Sequence, residues 1–420
     1  MSARLRTYHD PLHGAIQLDR SVPAEAMAID IIDTPAFQRL RRIRQLGPAN
    51  LTFHGAESSR FTHSLGVLHL ARRALHHLER SHPSLGEHRV VLYAAALLHD
   101  IGHAPLSHSG EEMFGIQHER WSARVIREEG ALRTRLDAEG RGTAESVATL
   151  LEAGAFAEPA IKALVSSQLD CDRLDYLLRD SYSTGASYGH LDLDRLVAGL
   201  VLAPDGTLAI HPRGLLAVEH YLVVRQLMYR SVYNHRLNVG CNWLLRRVID
   251  VARELGPSLV WADEVMATWL WQRETLSLSS FLANDDVRTT YHLTRWHEEG
   301  PPQLRDPCTR LLHRQLLKAM DVRHLSTSDR LQLLAQVRRE ASQIGLDPDG
   351  CCALLQGQTR GYDPYRSGLR LWDGVRLAAL EDHSNLVRTL TAQESWAWLL
   401  YPKQVERVLL LHPAWEAPLA

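Results

Sequence analysis

The residues AALLHDIGHAPLSHSGEE, at positions 95–112, decide the fold. Their apolar half predicts a buried helix, and that helix ends at His99 and Asp100. Gly102 and Pro105 then break the helical pattern. An adjacent histidine and aspartate at a buried helix end cost free energy unless a partner compensates them. A divalent metal compensates both, because it binds an imidazole nitrogen and a carboxylate oxygen, so this stretch predicts a metal site.

The other ligands of such a site must come from elsewhere in the chain, since two ligands do not hold a metal. His63 lies at the start of an apolar-periodic helix in SSRFTHSLGVLHL, and Asp172 lies in SSQLDCDRLDYLLRD. With His99 and Asp100 they form a set of two imidazoles and two carboxylates. That set suits Fe, Mn, Zn, Ni or, less well, Mg. For Asp172 alone, a solvated helix carboxylate is an equally open interpretation, because three further aspartates lie nearby in the sequence.

The spacing of the histidines makes this motif specific. His103 follows His99 by about one helical turn, and His108 comes soon after it. HDxGH followed by PxSH is far more specific than a lone HD dipeptide. Imidazole is both the commonest metal ligand and the side chain that titrates near pH 7, so the cluster indicates chemistry more than packing.

The remaining pattern is mainly helical, with small β insertions. DPLHGAIQL near the N-terminus predicts a short hairpin or extended segment, and Asp205 with Gly206 predicts a second hairpin. We expect an N-terminal region of residues 1–200, with its helical pattern continuing to about 240, and a mainly helical C-terminal region of residues 201–420. Apolar periodicity predicts continuous helices over 35–46, 64–80, 89–100, 160–181 and 214–255.

Length and composition exclude several classes of protein. The chain has 420 residues, of which 45% are apolar and 23% charged, as is typical of globular proteins. Lys+Arg is 47 and Asp+Glu is 49, so no global charge attracts nucleic acid or a membrane. Five cysteines without a CxxC pair, and a start without a secretory pattern, predict a cytoplasmic protein. No stretch approaches the roughly 18 apolar residues that a membrane span needs.

Two helical segments place polar and aromatic side chains on one face. Asp172, Tyr176 and Asp180 are spaced four residues apart, so they share a helix face. One end of that face can bind metal. Core packing with a satisfied hydroxyl is the alternative for these tyrosines. The same spacing recurs in Arg225, Tyr229 and Tyr233.

The chain resembles the HD-domain phosphohydrolases, and within them the deoxynucleoside triphosphate triphosphohydrolases related to the animal SAM- and HD-domain enzyme. The resemblance covers residues 10–236, in the order of the family, and is faint beyond about 240. It implies a helical HD core with small β-hairpin insertions and a helical C-terminal extension. The segments that carry it are DPLHGAIQL, IIDTPAFQRLRRIRQLG, SRFTHSLGVLHLA, LLHDIGHAPLSH, QHE, LDCDRLDYLLRDS and RQLMYRSVYNHR.

The resemblance implies a role for each matching residue. The metal ligands would be His63, His99, Asp100 and Asp172. The catalytic groups around the triphosphate would be His103, His108, Glu111 and His118. The substrate contacts would be Gln45, Arg60, Tyr176, Asp180, Arg225 and Tyr229. Two positions depart from the animal enzyme, which has an aspartate at Glu111 and a histidine at Tyr229.

The implied reaction is hydrolysis of a deoxynucleoside triphosphate to the deoxynucleoside and intact inorganic triphosphate. A divalent metal would polarise an α-phosphate oxygen. We expect His108, oriented by Glu111, to donate a proton to the leaving 5′-oxygen. His103 and His118 would neutralise charge on the triphosphate, and Arg60 with Arg225 would clamp its phosphates.

The resemblance also implies a second, activating nucleotide site between subunits. Helix capping by Asp33, with the other residues as surface polar groups, is the alternative. The functional interpretation predicts nucleotide-driven assembly into a homo-oligomer, a dimer or tetramer, with residues 201–420 supplying the interface. The matching residues are Asp33, Gln38, Arg41, Arg314 and Lys318.

Two other functions remain open from the sequence. The same metal site suits a phosphodiesterase or 3′-exonuclease that acts on single-stranded nucleic acid or cyclic nucleotides, because HD folds host many activities. The near-zero net charge and the lack of an Arg-rich run interleaved with aromatics disfavour a nucleic-acid substrate. A catalytically silent nucleotide sensor is disfavoured because a sensor need not keep every proton-transfer group.

Overall fold

The structure is a computed structural model that describes residues 4–364 and 368–406. Helices dominate it, which confirms the mainly α class. The end of the predicted C-terminal region, residues 407–420, lies outside the described residues. The first helices are α1 (Pro23–Ile32), α2 (Pro35–Gln38), α3 (Arg60–Glu79), α4 (Arg89–Leu98), α5 (His108–Phe114), α6 (His118–Glu128), α7 (Gly130–Ala138), α8 (Thr143–Ala153), α9 (Pro159–Val165), α10 (Cys171–Thr184) and α11 (Leu193–Ala198). The later helices are α12 (Leu215–Met228), α13 (Arg236–Leu255), α14 (Glu264–Trp271), α15 (Leu278–Leu282), α16 (Asp286–Glu299), α17 (Pro302–Leu312), α18 (Thr327–Gln343), α19 (Pro348–Cys351), α20 (Leu380–His383) and α21 (Asn385–Leu390).

The strands of the described ranges form three small sheets. They are β1 (Leu5–Asp10), β2 (Gly14–Asp19), β3 (Leu200–Leu202), β4 (Leu208–Ile210), β5 (Lys318–Asp321), β6 (Ala353–Arg360), β7 (Arg370–Trp372), β8 (Leu377–Ala379) and β9 (Gln393–Tyr401). The pairs β1–β2 and β3–β4 are the two predicted antiparallel hairpins. The second hairpin continues through β7, which lies parallel to β4, into β8. The third sheet is antiparallel, in the order β5-β9-β6.

Helix α3 runs through the centre of the core and packs on both α4 and α10. Leu68 and Leu75 of α3 and Leu97 of α4 are fully buried. Burial of each such side chain stabilises the fold by roughly 1.5–3 kcal/mol. This packing holds the start of α3, the end of α4 and the start of α10 against one another.

The predicted helix over 35–46 is wrong in its second half. Helix α2 is followed by a 3₁₀ turn (Arg39–Arg42) and then by extended backbone at Ile43. The buried guanidinium of Arg39 donates to the carbonyl oxygens of Asn284 and His103, at 2.8 and 3.0 Å. Those carbonyls belong to distant segments, so the local apolar pattern does not contain the reason for the break.

Two other predicted helices are each interrupted once. The segment 160–181 divides into α9 and α10, because the Asp170 carboxylate accepts the Arg173 backbone N–H at 2.7 Å and caps a new helix. The segment 214–255 contains a π-helical turn (Tyr229–Tyr233) between α12 and α13. Such turns are frequent at functional sites. None of the described helices is both long and apolar enough to cross a membrane.

Candidate metal and substrate site

Three helix ends bring four predicted metal ligands together. His63 lies in the first turn of α3, His99 and Asp100 follow α4, and Asp172 lies in the first turn of α10. The Nε2 atom of His63 is 3.0 Å from Asp172 Oδ1, 3.2 Å from His99 Nε2 and 3.5 Å from Asp100 Oδ2. His99 Nε2 is 3.4 Å from Asp100 Oδ2. The four donor atoms therefore surround one small volume.

The protonation of the two imidazoles indicates what fills this volume. His63 Nδ1 faces Asp175 Oδ2 at 2.8 Å, and His99 Nδ1 faces the Ala96 carbonyl oxygen at 3.0 Å. Both partners are acceptors, so both Nδ1 atoms donate, and in the neutral imidazoles both Nε2 atoms then present a lone pair. Two lone pairs and two carboxylates facing one another repel unless a cation lies between them.

The spacing of the donor atoms also fits a metal. Bonds of about 2.1 Å to one ion place neighbouring ligand atoms roughly 3.0–3.4 Å apart. The residues present therefore fit a divalent metal, held by His63, His99, Asp100 and Asp172.

The pKa shifts at these residues follow from the same proximity. Burial works to raise the pKa of Asp172, but hydrogen bonds from His63 and His99 hold it well below its ordinary value. Burial also works to raise the pKa of Asp100, but the positive charge of Arg60 holds it well below its ordinary value. Burial works to lower the pKa values of His63 and His99, but the neighbouring carboxylates raise them. Protons therefore compete with a metal for the two Nε2 atoms.

Arg60 forms hydrogen bonds within the protein, although the sequence predicted that it would bind the phosphates of a substrate. Its buried guanidinium donates to Asp100 Oδ2 at 2.6 Å and to the Ser107 hydroxyl at 2.9 Å. A longer contact of 3.3 Å reaches the Gln45 carbonyl oxygen. Arg60 therefore compensates the charge of a metal ligand while also lining the cavity beside it.

Three histidines converge on the carboxylate of Glu111. Its Oε1 atom lies 3.1 Å from His103 Nδ1, 3.0 Å from His108 Nδ1 and 2.9 Å from His118 Nδ1. His103 and His118 stack with ring centroids 4.0 Å apart. The longer glutamate side chain thus reaches His108 directly. Burial works to raise the pKa of Glu111, but the three imidazoles hold it well below its ordinary value.

The three imidazoles differ in environment. His103 is fully buried, and burial with the nearby Arg60 charge lowers its pKa to about 3. Burial works to lower the pKa of His118, but the Glu111 carboxylate raises it. The His108 side chain is 69% exposed. His103 is therefore the neutral member, and His108 is the one open to a ligand.

A cavity of about 470 Å³ connects these groups. Beyond the metal ligands and histidines, its wall holds a cluster of tyrosines and a buried carboxyl. The Tyr233 hydroxyl donates to Asp180 Oδ2 at 2.9 Å, and the Tyr176 and Tyr229 hydroxyls are 3.4 Å apart. Burial raises the pKa of Asp180 to about 7. The lining includes Gln45, Arg60, His99, Asp100, His103, His108, His118, Asp170, Asp172, Arg173, Tyr176, Asp180, Tyr229 and Tyr233.

Arg225 is the predicted substrate residue that the structure places apart from this wall. It lies outside the cavity lining among the described residues. Its Nη1 donates to Gln168 Oε1 at 2.6 Å, and its guanidinium lies over the Tyr229 ring, 5.6 Å from the centroid. In this conformation Arg225 supports the tyrosine wall from behind.

Four residues of this site had no role predicted from the sequence. Asp170 and Arg173 line the cavity, Tyr233 orients Asp180, and Asp175 contacts His63. The sequence signal for Asp170, Arg173 and Asp175 was only their density in LDCDRLDYLLRDS, which does not say which side chains turn inward. Tyr233 was noticed for its spacing with Arg225 and Tyr229, but no contact was predicted for it.

The residues predicted for an activating nucleotide form two separate groups. Arg41 Nε donates to Gln38 Oε1 at 2.7 Å and its guanidinium covers the Phe61 ring, while Asp33 pairs with Arg6. Arg314 Nε donates to the Leu51 carbonyl oxygen at 2.7 Å. Lys318 lines a second cavity of about 890 Å³. Within the described residues, no hydrogen bond or ion pair joins the first group to the second.

Known proteins share this arrangement of helices and motifs. The HD domain profile matches residues 60–179, and the HD-associated region profile matches residues 191–256. A phosphohydrolase structure from Bacteroides thetaiotaomicron superposes with a TM-score of 0.82 at 26% identity, covering 95% of this chain and 100% of that one. The uncharacterized protein YwfO of Bacillus subtilis is 32% identical over 366 residues, which are 86% of this chain and 82% of that protein.

The chain therefore belongs to the HD-domain phosphohydrolase family, as the motifs predicted. The human deoxynucleoside triphosphate triphosphohydrolase SAMHD1 is 42% identical over 113 residues, which are 26% of this chain and 17% of that enzyme. The likeness to SAMHD1 is thus confined to a part of each protein. HD domains bind divalent metals, and two clusters here are able to hold one: His63, His99 and Asp172, and the Glu111 group.

Proposed function

We propose that this phosphohydrolase cleaves deoxynucleoside triphosphates into the deoxynucleoside and intact inorganic triphosphate. One observation carries the proposal: a single cavity is lined by three of the four proposed metal ligands (His99, Asp100 and Asp172), the three histidines of the Glu111 cluster and the Tyr176–Asp180 face. A metal-binding end and a sugar-sized aromatic end in one cavity suit a small nucleotide. When bound, a divalent metal supplies Lewis-acid polarisation of a phosphoryl oxygen.

His108 is the proton donor in this proposal. Water attacks the α-phosphorus and loses a proton to the solvent, and the bond from that phosphorus to the 5′-oxygen breaks. The leaving oxygen needs a proton, which His108 delivers from Nε2 while its Nδ1–H stays on Glu111. General acid catalysis of this kind typically contributes about 10²–10⁴-fold to the rate.

The remaining residues bind and orient the substrate. His118, whose pKa the Glu111 carboxylate raises, and the lining residue Arg173 supply positive charge for the triphosphate. Asp180 keeps its Oδ1 buried without a hydrogen-bond partner among the described residues, so it can take the 3′-hydroxyl of a sugar. The Tyr176 ring would lie where a 2′-hydroxyl must be excluded.

The test is product analysis by chromatography. The metal-loaded protein is incubated separately with each dNTP, each NTP and a short single-stranded oligonucleotide. We expect deoxynucleoside and inorganic triphosphate from dNTPs. Release of mononucleotides from the oligonucleotide, without triphosphate from any dNTP, would instead identify an exonuclease.

We also propose that an activating nucleotide binds this protein and drives assembly of a homo-oligomer. Support comes from Lys318, one of three lysines in the chain, which lines the larger cavity together with Arg230, Arg236 and Arg323. Light scattering with and without added dNTPs tests this. A mass that stays constant, with full activity on a single dNTP, would contradict it.

A further inference from the structure

A carboxylate behind the metal ligands accepts four hydrogen bonds from three side chains. Asp175 is completely buried, and its Oδ2 atom accepts His63 Nδ1–H at 2.8 Å and Arg179 Nε–H at 2.8 Å. Its Oδ1 atom accepts from His13 Nε2 at 2.6 Å and from Arg179 Nη2 at 3.0 Å. Each oxygen of this carboxylate therefore accepts two hydrogen bonds, and together they fix the position of the Asp175 side chain.

The N-terminal hairpin closes this network from the other side. Asp10 Oδ1 accepts the backbone N–H groups of Leu12 and His13 at 2.9 and 3.0 Å, so the hairpin turn is rigid. Asp10 Oδ2 accepts from Arg179 Nη1 at 2.9 Å. The side chains of Asp10, His13, Asp175 and Arg179 thus join β1–β2 to α10 through buried, charge-assisted hydrogen bonds.

Helices α3 and α10 approach unusually closely at this point. A Cβ atom on Gly66 would lie 1.8 Å from Asp175 Oδ1 and 2.6 Å from Arg179 Nη2. Only glycine fits there, because the carboxylate lies against the α3 backbone one turn after His63. The packing of the two helices therefore leaves Asp175 no alternative position.

We propose that Asp175 is a positioning residue for the metal ligand His63, and that His13 holds Asp175 in place. By accepting the Nδ1 proton, Asp175 selects the tautomer whose Nε2 lone pair points at the metal site. His99 reaches the same state through a backbone carbonyl of its own helix. Partners of this kind orient metal-bound imidazoles and raise their basicity. The inference rests on the metal site of the proposed function, and not on its substrate.

The test measures binding of Co²⁺ to the apoprotein by titration, together with the visible absorption of bound Co²⁺. In Asp175→Asn, the amide NH₂ faces donors and the charge is lost, so we expect Co²⁺ affinity to fall about 10–100-fold. We also expect a changed visible spectrum, because a reoriented imidazole alters the ligand field. His13→Ala should weaken Co²⁺ binding in the same direction. His77→Ala is the matched control. His77 lies on α3, the helix of His63, but its ring contacts the Leu200 carbonyl oxygen and not the Asp175 network.

Unchanged Co²⁺ affinity and spectrum in a folded Asp175→Asn protein would overturn the proposal. If that variant does not fold, His13→Ala decides, because its substitution lies in a turn and leaves both helices intact. Affinity in His13→Ala equal to that of His77→Ala would then reject the network. Because metal binding is the readout, a failed dNTP assay leaves this test valid.

Discussion

The carboxylate of Asp286, at the start of α16, accepts the backbone N–H of Leu106 at 2.7 Å. Leu106 and Ser107 both have positive φ angles, 62° and 57°, which cost about 1–3 kcal/mol each for residues other than glycine. Their strained turn directly precedes His108. A residue 180 positions away thus holds the backbone that aims the proposed proton donor.

Replacing Asp286 with asparagine should loosen this turn. Asp286 also accepts the Arg44 N–H at 2.9 Å, so an amide NH₂ in its place would face one of the two N–H donors. We expect a loss of about 1–3 kcal/mol in the free energy of unfolding, measured with urea, and a lower kcat. Asp373→Asn is the control, because Asp373 accepts two backbone N–H groups on the surface. Equal effects of both substitutions would contradict the assigned role.

Replacing His108 with alanine should remove turnover and spare the metal. His108 contacts Glu111 and is not among the four predicted metal ligands. We expect kcat to fall about 10²–10⁴-fold while metal content, measured by elemental analysis of the same preparation, stays constant. Full activity in this variant would remove His108 from the mechanism.

Removing the metal should lower the thermal stability. A ligand at 100 times its Kd stabilises the native state by about 2.7 kcal/mol, so chelation should lower Tm by several degrees. Asp172→Asn should lack this response, since Asp172 Oδ1 is the carboxylate atom nearest His63 Nε2. Asp194→Asn, which alters a surface pair with Arg73, should keep it. A chelation shift of equal size in the Asp172 variant would exclude that residue as a ligand.

Asp180 should make the apoprotein less stable as pH rises. Burial raises its pKa from 3.8 to about 7, so the native state binds this proton more tightly than the unfolded chain. Stability is then lost between about pH 4 and pH 7 and stays low above. At about 1.4 kcal/mol per tenfold change in proton affinity, the loss is at most about 4 kcal/mol. Asp180→Asn should therefore unfold at higher urea than the native chain at pH 8, with little difference near pH 4. If the urea midpoints of the two proteins changed with pH in parallel, this prediction would be wrong.

Tyr176 should determine the choice between deoxyribose and ribose. In Tyr176→Ala, the space for a 2′-hydroxyl opens, and we expect the ratio of kcat/KM for dNTP over NTP to fall roughly 10-fold or more. Tyr188→Ala, at an exposed tyrosine outside the cavity, should leave the ratio unchanged. A constant ratio in the Tyr176 variant would mean that other side chains select the sugar.

The HD motif carried enough information for the family and the helical class, because a buried histidine–aspartate pair has few physical explanations. It also led to four predicted ligands, and the structure brings the Nε2 atoms of His63 and His99 within 3.7 Å of each other and of both carboxylates. No role for Asp175 or Asp286 could be predicted from the sequence. Their partners are 112 and 180 residues away, and a local pattern does not record such contacts.

The helix boundaries failed for a related reason. Apolar periodicity describes one face of a helix, but it does not say where a buried polar group ends it. The helical pattern ends after α2, where Arg39 binds two distant carbonyl oxygens. A new helix, α10, begins where Asp170 caps it. The placement of Arg225 is similar, since its hydrogen bond to Gln168 depends on how α12 packs against the segment between α9 and α10.

The network behind His63 has a consequence for biosynthesis. His63 precedes Asp175 by 112 residues, and His13 precedes it by 162. At roughly 5–20 residues per second, a ribosome needs about 6–22 s to pass from His63 to Asp175. During that interval the nascent chain carries His63 and His99 without the aspartates of α10 that complete and orient the site. The full set of proposed metal ligands therefore exists only after α10 has emerged and docked against α3.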